Sequence, residues 1–383
     1  MANITVAGTG SASLSALIQQ YYMPVLYDNI FKKSHPLLSI LKGKAKTFNG
    51  REIVVPVESA DGGVSVFGDV HGVGNTGSPA GGYIPAKADI AQTSTYNPTM
   101  LTGHFLVTKE ETLLMNSPQA IKNIVGAKVA NLQKSLEKKV AENLFATSLS
   151  ADHFNPLGHL INNADGTVGG ITVASSPASN LFWRSPVLDQ SDFADASGEH
   201  TTQSPTDVAD YIAENDMQDP AKDTYILRIL ARGIANAKAQ TGENPDLIVC
   251  PQYIYDLIES ELGEFKRGSL ESDRMAKMGF VGLSYRGIDI VADQDMVTAQ
   301  QQVADPAVAS TNYDGRIYFL NTNYLHMFFN SGAKFTAGDM IEDTKSNTFV
   351  QKVHTYGNLA VTNRRAHCVI TGLESSPAYA PYG

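Results

Sequence analysis

Between Pro118 and Ala146 apolar residues recur every three or four positions: Ile121, Val125, Val129, Leu132, Leu136, Val140 and Leu144. Lys122, Lys134, Glu137, Lys138 and Glu142 lie mostly off that stripe. A period near 3.6 with one apolar face predicts an amphipathic helix. Ser117 is placed as its N-cap, Pro118 takes the first helical position, and no later proline interrupts the run. Thr108 and Glu111 have capping-box spacing, so a short helix is expected just before it. At 1.5 Å per residue the long helix spans roughly 40–45 Å, about the width of a domain. It is the spine around which the rest is arranged.

Elsewhere the pattern alternates between helix and strand. Gly50–Glu58 has β-branched strand character, with Pro56 marking an edge or irregular strand. Asp61–Gly82 holds eight glycines and few large apolar side chains, and strand-like alternation resumes over Asp89–Tyr96. Two strands around a glycine-rich tip predict a projecting hairpin, which needs another surface to lie on, here expected to be a second subunit. Thr224–Ala239 is predicted helical through Ile226, Ile229, Leu230 and Ile234, ending at Gly242. A buried strand at Asn244–Pro251, a helix through Ile254, Leu257, Ile258 and Leu262, and strands at Gly287–Ala292 and Gly315–Leu320 complete an α/β block. Two further strands, Phe349–Gly357 and Asn358–Gly372, are predicted to form a hairpin turning at Gly357-Asn358 and to cover the spine's apolar stripe. The fold class is α+β, in two domains.

Composition narrows the class. The chain has 383 residues, 43% hydrophobic and 18% charged, enough for a large core. The start, MANITVAGTG, has no basic n-region or apolar h-region, and no apolar run approaches a membrane span, so a cytoplasmic chain is expected. Cys250 and Cys368 lack the spacing of a disulfide framework or zinc site and are expected as buried small apolar groups. The net charge of -10 is uneven: twelve acids lie between Asp152 and Asp223 against Arg184 and Lys222. Lys32, Lys33, Lys42, Lys44, Lys46 and Arg51, by contrast, fall between Asp28 and Glu52 with no acid among them. That basic segment could meet an acidic neighbour or a polyanion, and an isolated charge run is more often a solvated face.

Motifs for chemistry are missing. Gly72, Gly74 and Gly77 spell a dinucleotide fingerprint, but Ser78-Pro79-Ala80-Gly81-Gly82 follows and cannot open the helix that would meet a pyrophosphate. Nine histidines are scattered, His153 and His159 being the closest pair. Asp293 with Asp295 and Glu259 with Glu261 could be paired acids, though such pairs are commonly exposed turns and helix faces. No GxSxG, P-loop or HExxH pattern occurs, so no catalytic, cofactor-binding or metal residue is assigned and no cofactor is expected.

The joint order of segments carries a resemblance. Pro24–Glu58, Thr167-Val-Gly-Gly-Ile171 before Phe182-Trp183-Arg184, Asn244-Pro-Asp-Leu-Ile-Val249, Gly287-Ile-Asp-Ile-Val-Ala-Asp293, Phe319-Leu-Asn321 and Gly357-Asn-Leu-Ala-Val-Thr-Asn-Arg-Arg365 are similar to successive parts of the major capsid proteins of tailed bacteriophages with the HK97-type fold. The resemblance implies an N-terminal arm at 1–50, an extended E-loop at 51–103, a P-domain from 104–165 and 340–383 holding the spine helix, and an α/β A-domain at 166–339. It implies self-assembly into pentamers and hexamers that form an icosahedral head around double-stranded DNA, in the virion, after assembly in the host cytoplasm. Implied partners are a scaffolding protein and portal, a decoration protein in some relatives, and packaged DNA through weak nonspecific contact, with Lys32–Arg51 as the candidate segment. Lys87 is the loop's only lysine, and no cross-link is expected from it. An encapsulin-type compartment shell shares the fold and is the alternative; an α/β enzyme without a recognisable motif is the second.

Overall fold

The computed structural model describes residues 35–59, 90–110, 118–146, 149–150, 153–193, 212, 217–220, 224–263, 283–296, 313–343 and 347–375. The arm before residue 35, the glycine-rich tip with Lys87, most of the predicted short helix after Thr108, and much of the acidic segment lie outside them. In chain order, helix α1 (Pro36–Gly43) leads through β1 (Lys46–Phe48), β2 (Ile53–Glu58), β3 (Ala91–Tyr96) and β4 (Thr99–Thr108) to the spine, α2 (Pro118–Leu144). Next come α3 (Leu157–Leu160), β5 (Gly166–Val168), β6 (Ile171–Ser175), β7 (Ala178–Ser179), a 3-10 turn at Leu181–Trp183, and β8 (Val187–Leu188). The α/β block is α4 (Ile226–Thr241), β9 (Leu247–Cys250), α5 (Gln252–Gly263), β10 (Leu283–Tyr285), β11 (Ile288–Ala292) and β12 (Tyr313–Leu320). The remainder is β13 (Leu325–Asn330), β14 (Thr336–Ala337), β15 (Ile341–Glu342), β16 (Thr348–Val361) and β17 (Cys368–Ser375).

Two six-stranded sheets organise these elements. One runs β10-β11-β9-β12-β17-β8 and has a hydrophobic core on each face. Alternation along the strands sorts the side chains: Ile248, Cys250, Ile317, Phe319, Cys368 and Ile370 join the core under α4 and α5. Leu247, Val249, Tyr318, Leu320 and Val369 join the other core, which also holds the buried end of the spine. All four residues of β9 are buried, as a strand covered on both faces requires. Helix α4 ends at Gly242, whose φ of 76° supplies the left-handed C-cap.

The second sheet is built on β16. One edge pairs with β4 over ten residues; the other pairs with β13, β14 and β15 in turn, and β1 adds to β13 in parallel. β16 runs straight through Gly357 and Asn358, so the expected turn there is corrected. A Cβ on Gly357 would lie 2.2 Å from the Phe328 carbonyl oxygen, so the glycine serves a close strand approach. Asn358 accepts from the Asn155 N–H (2.7 Å) and donates to the Asn97 carbonyl (2.6 Å), tying neighbouring chain segments to the strand. The chain turns at Arg364–Ala366 instead, and β17 enters the first sheet between β12 and β8. The expected cover of the spine by both terminal strands is thereby corrected: β16 and β4 provide it.

The spine is unevenly buried. Leu136, Val140 and Leu144 are inside the core, while Val125, Val129 and Leu132 on the same stripe are only half-buried.

Candidate functional site

A two-stranded ribbon is marginal in water, so the seat of β2 and β3 decides where this chain can make contacts. Ile53, Val55, Val57, Ser94 and Tyr96 form the ribbon's buried face. That seat belongs to the same chain, which corrects the expectation that the hairpin leans only on a second subunit. The Thr95 N–H donates to the Gly169 carbonyl (2.8 Å), the Gln92 amide to Asn180 Oδ1 (3.2 Å), and the Tyr96 hydroxyl to the Val361 carbonyl (3.1 Å). Gly169 and Gly170 turn the β5–β6 hairpin with φ of 58° and 75°, and a Cβ on Gly169 would fall 2.1 Å from Ser94 Oγ. Both the left-handed turn and the close approach require glycine.

Behind this seat lies a buried cation. Arg364 is 1% exposed, and its guanidinium donates to the carbonyls of Leu160 (2.6 Å), Asn162 (2.9 Å) and Trp183, and to Asn162 Oδ1 (3.1 Å). Its carbon lies 6.0 Å from the Trp183 ring centroid, and the indole N–H donates to the Val168 carbonyl (2.9 Å). Burial pulls its pKa down to about 10, so it remains a cation at neutral pH. The fan of donors fixes α3, the 3-10 turn and the β5–β6 hairpin to one point, which places the ribbon.

Outward, the same region is apolar. Val54 and Ile90 are at least half exposed on the ribbon and its margin, and Met100 is 58% exposed on β4. Ile341, Val350 and Leu106 are cross-strand neighbours and form a row over β15, β16 and β4, with Ile341 68% and Leu106 49% exposed. Among the described residues β4 pairs with β16 alone. A groove of about 340 Å³ lies between it and the spine, lined by His104, Phe105, Leu106, Lys128, Asn131 and Leu132. Lys128 Nζ donates to the Leu106 carbonyl at 3.0 Å, capping part of that strand edge. Such a surface suits protein contact better than small-molecule chemistry.

The residues weighed for chemistry do not converge. Cys250 and Cys368 are buried and unbonded to each other; burial raises both thiols, that of Cys368 to about 12, so neither is a reactive thiolate. Burial, then the Arg364 charge, holds His159 below the usual imidazole range. Glu261 accepts from the Tyr225 hydroxyl (2.9 Å). Asp293 and Asp295 do come together, with His35 from the far end of the chain, at the head of α1. Among the described residues no group of three or more His, Cys, Asp or Glu side chains could hold a metal ion, and no helix is long and apolar enough to cross a membrane. In the basic segment, Lys42 pairs with Glu137 (2.6 Å) and Lys44 with Asp246 (3.5 Å), so two of its charges are met within the chain. Sequence reading missed β4, the Arg364 seat and the His35 contact; in β4 the apolar residues Met100, Leu101, Phe105, Leu106 and Val107 fall on both faces and leave no clean alternation.

No family profile matches the sequence, and no curated protein does. Solved structures do. A chain of the cyanophage A-1(L) capsid asymmetric unit matches with a TM-score of 0.56 at 16% identity, covering 91% of this chain and 95% of that one. A chain of the capsid of Myoviridae phage XM1 matches with a TM-score of 0.50 at 12% identity, covering 97% of this chain and 100% of that one. The ribbon, the spine with its β4–β16 cover and the two-faced α/β sheet are therefore the parts of an HK97-like capsid fold.

Proposed function

We propose that this chain is the major capsid protein of a tailed phage, assembling as pentamers and hexamers into the icosahedral shell around packaged double-stranded DNA. The observation that carries the reading is the near-full-length likeness to two phage capsid chains. The apolar row Ile341–Val350–Leu106, with the ribbon's exposed outer face, supports it, because these surfaces have no apolar cover among the described residues. We divide the chain as arm 1–50, E-loop 51–103, P-domain 104–165 with 340–383, and A-domain 166–339; β13 and β17 exchange between the two sheets across those limits. The protein acts by assembly and not by catalysis. Its location is the virion after assembly in the host cytoplasm, and its further partners are a scaffolding protein, the portal and, in some assemblies, a decoration protein. Contact with DNA is weak, nonspecific and salt-sensitive, since Lys42 and Lys44 already face carboxylates.

The test is negative-stain microscopy with size-exclusion chromatography of the chain expressed alone and with its neighbouring genes. Closed particles, rings or sheets of hexamers are expected, with nucleic acid inside. Protein cargo inside would make it a compartment shell, and a compact monomer or dimer under every condition would refute the shell. Deleting Gly62–Gly82 should leave a folded subunit that cannot close shells; normal shells from that variant would remove the loop from assembly.

A further inference from the structure

Among the described side chains of α2, the charged ones are not spread evenly around the helix. At about 100° per residue, Lys128, Lys134, Lys138 and Lys139 fall within about 140° of arc, on the side opposite the buried Leu136 and Val140. Lys134 and Lys139 are exposed, and Lys128 and Lys138 are half-buried. Asn131 and Ser135 lie between them and are uncharged, and Glu142 is the one acid of α2 in that arc. It lies 3.9 Å from both Lys138 and Lys139. Glu137, on the flank, is met by Lys42 of α1 at 2.6 Å. Lys128 gives one N–H to the Leu106 carbonyl, a neutral acceptor that leaves its charge in place. Four cations against one carboxylate make the face positive, on a chain whose net charge is -10.

The composition of this face selects its partner. Between Lys128 and Glu142 the arc holds no apolar side chain, so it lacks the anchors of a protein interface, which the sheet face around Leu106 and Ile341 does have. From Lys128 to Lys139 it covers about 17 Å of helix. Double-stranded DNA carries one phosphate per ~1.7 Å of axis, so about ten phosphates pass over that length and each ammonium can meet one. Its cations are all lysine, point charges without the bidentate fork of arginine, which suits phosphate contact and reads no base. In the N-terminal basic segment, by contrast, Lys42 and Lys44 already face Glu137 and Asp246.

Resting on the shell reading above, we propose that the lysine face of the spine, and not the N-terminal basic segment, is the surface through which the subunit meets packaged duplex DNA. Counterion release drives the contact, so each lysine engaged steepens the dependence of log affinity on log salt by about 0.9.

Fluorescence anisotropy of a labelled duplex of about 30 base pairs, with the full-length chain kept unassembled, reads that dependence between about 50 and 200 mM NaCl. With four lysines engaged, affinity should fall about 150-fold across this range. With Lys134→Gln, Lys138→Gln and Lys139→Gln combined it should fall only about fourfold, at an unchanged melting temperature by circular dichroism. Arginine at the same three positions should restore the steep dependence. Lys139→Gln alone, at a side chain 53% exposed, should lower the slope by about 0.9, and it decides the matter if the triple variant does not fold. Lys46→Gln with Arg51→Gln should leave the slope unchanged. No duplex binding by the unaltered chain, an unchanged slope in the triple glutamine variant, or loss of binding in the Lys46 and Arg51 variant instead would overturn this surface. Particles are scored separately by microscopy: normal particles without duplex binding remove the surface and leave the shell, whereas duplex binding without particles removes the shell and the packaged role with it.

Discussion

The sheet β10-β11-β9-β12-β17-β8 and the sheet built on β16 contain similar strands but bury them differently. The first has apolar cores on both faces, so its strands need nothing from outside the chain. The second has α2 against one side and leaves Leu106, Met100 and Ile341 exposed, while half of the spine's stripe is only half-buried. The first region covers its own apolar surface, and the second leaves apolar side chains uncovered among the described residues. The ribbon stands between these cases: its inner face is seated on β5–β6 by the same chain, and its outer face carries the exposed Val54.

The largest effect expected is at the seam of the two regions. Arg364→Ala strips four carbonyl-type acceptors of their donor and opens a cavity, and should cost about 3–5 kcal/mol, measured as the urea midpoint of the subunit. Arg364→Lys should recover only part of that loss, because a point ammonium cannot reproduce the fan. Full recovery would mean that charge alone matters there.

An intermediate effect tests the self-contained region. His367 is fully buried, its Nδ1 accepts the Asn321 N–H (3.2 Å), and burial lowers its pKa to about 3. A depressed histidine pKa means that its stability contribution is present above about 6.5 and falls as pH drops toward 3. The slope should approach about 1.4 kcal/mol per pH unit. His367→Gln should flatten that acid limb in urea titrations. An equally steep limb in the variant would place the acid sensitivity elsewhere.

The smallest change in stability should accompany the largest change in assembly. Leu106→Asp combined with Ile341→Asp should alter the subunit's melting by no more than about 0.5 kcal/mol, because both side chains already meet water. Particle yield by microscopy should nevertheless collapse. Normal particles would show that this face stays wet in the shell.

These contrasts explain what the sequence could reveal. The spine, α4, α5 and the strands at 247–250, 288–292 and 313–320 follow local period and punctuation, and all appear. Gly357-Asn358 was misleading because turn chemistry and close packing use the same residue types. β4 was hidden by Gly103 and by apolar residues on both of its faces, and β1 has only three residues of pairing. Arg364 sits in an Asn-Arg-Arg run like many solvated ones, and its acceptors are carbonyls about 180 to 204 positions away, which no composition encodes. The contact of His35 with Asp295 spans 260 residues and is legible only in three dimensions.

The position of β17 has a consequence for synthesis. It lies between β12 and β8, in the interior of the sheet, although the ribosome makes β9, β11 and β12 first. Until residues 368–375 have left the exit tunnel, the nascent sheet carries a gap where β8 and β12 would otherwise be bridged, with Ile317 and Phe319 lacking β17 beside them. Until then two strands of this sheet present open edges in its interior, and β17 closes it after every other strand of the sheet has been made.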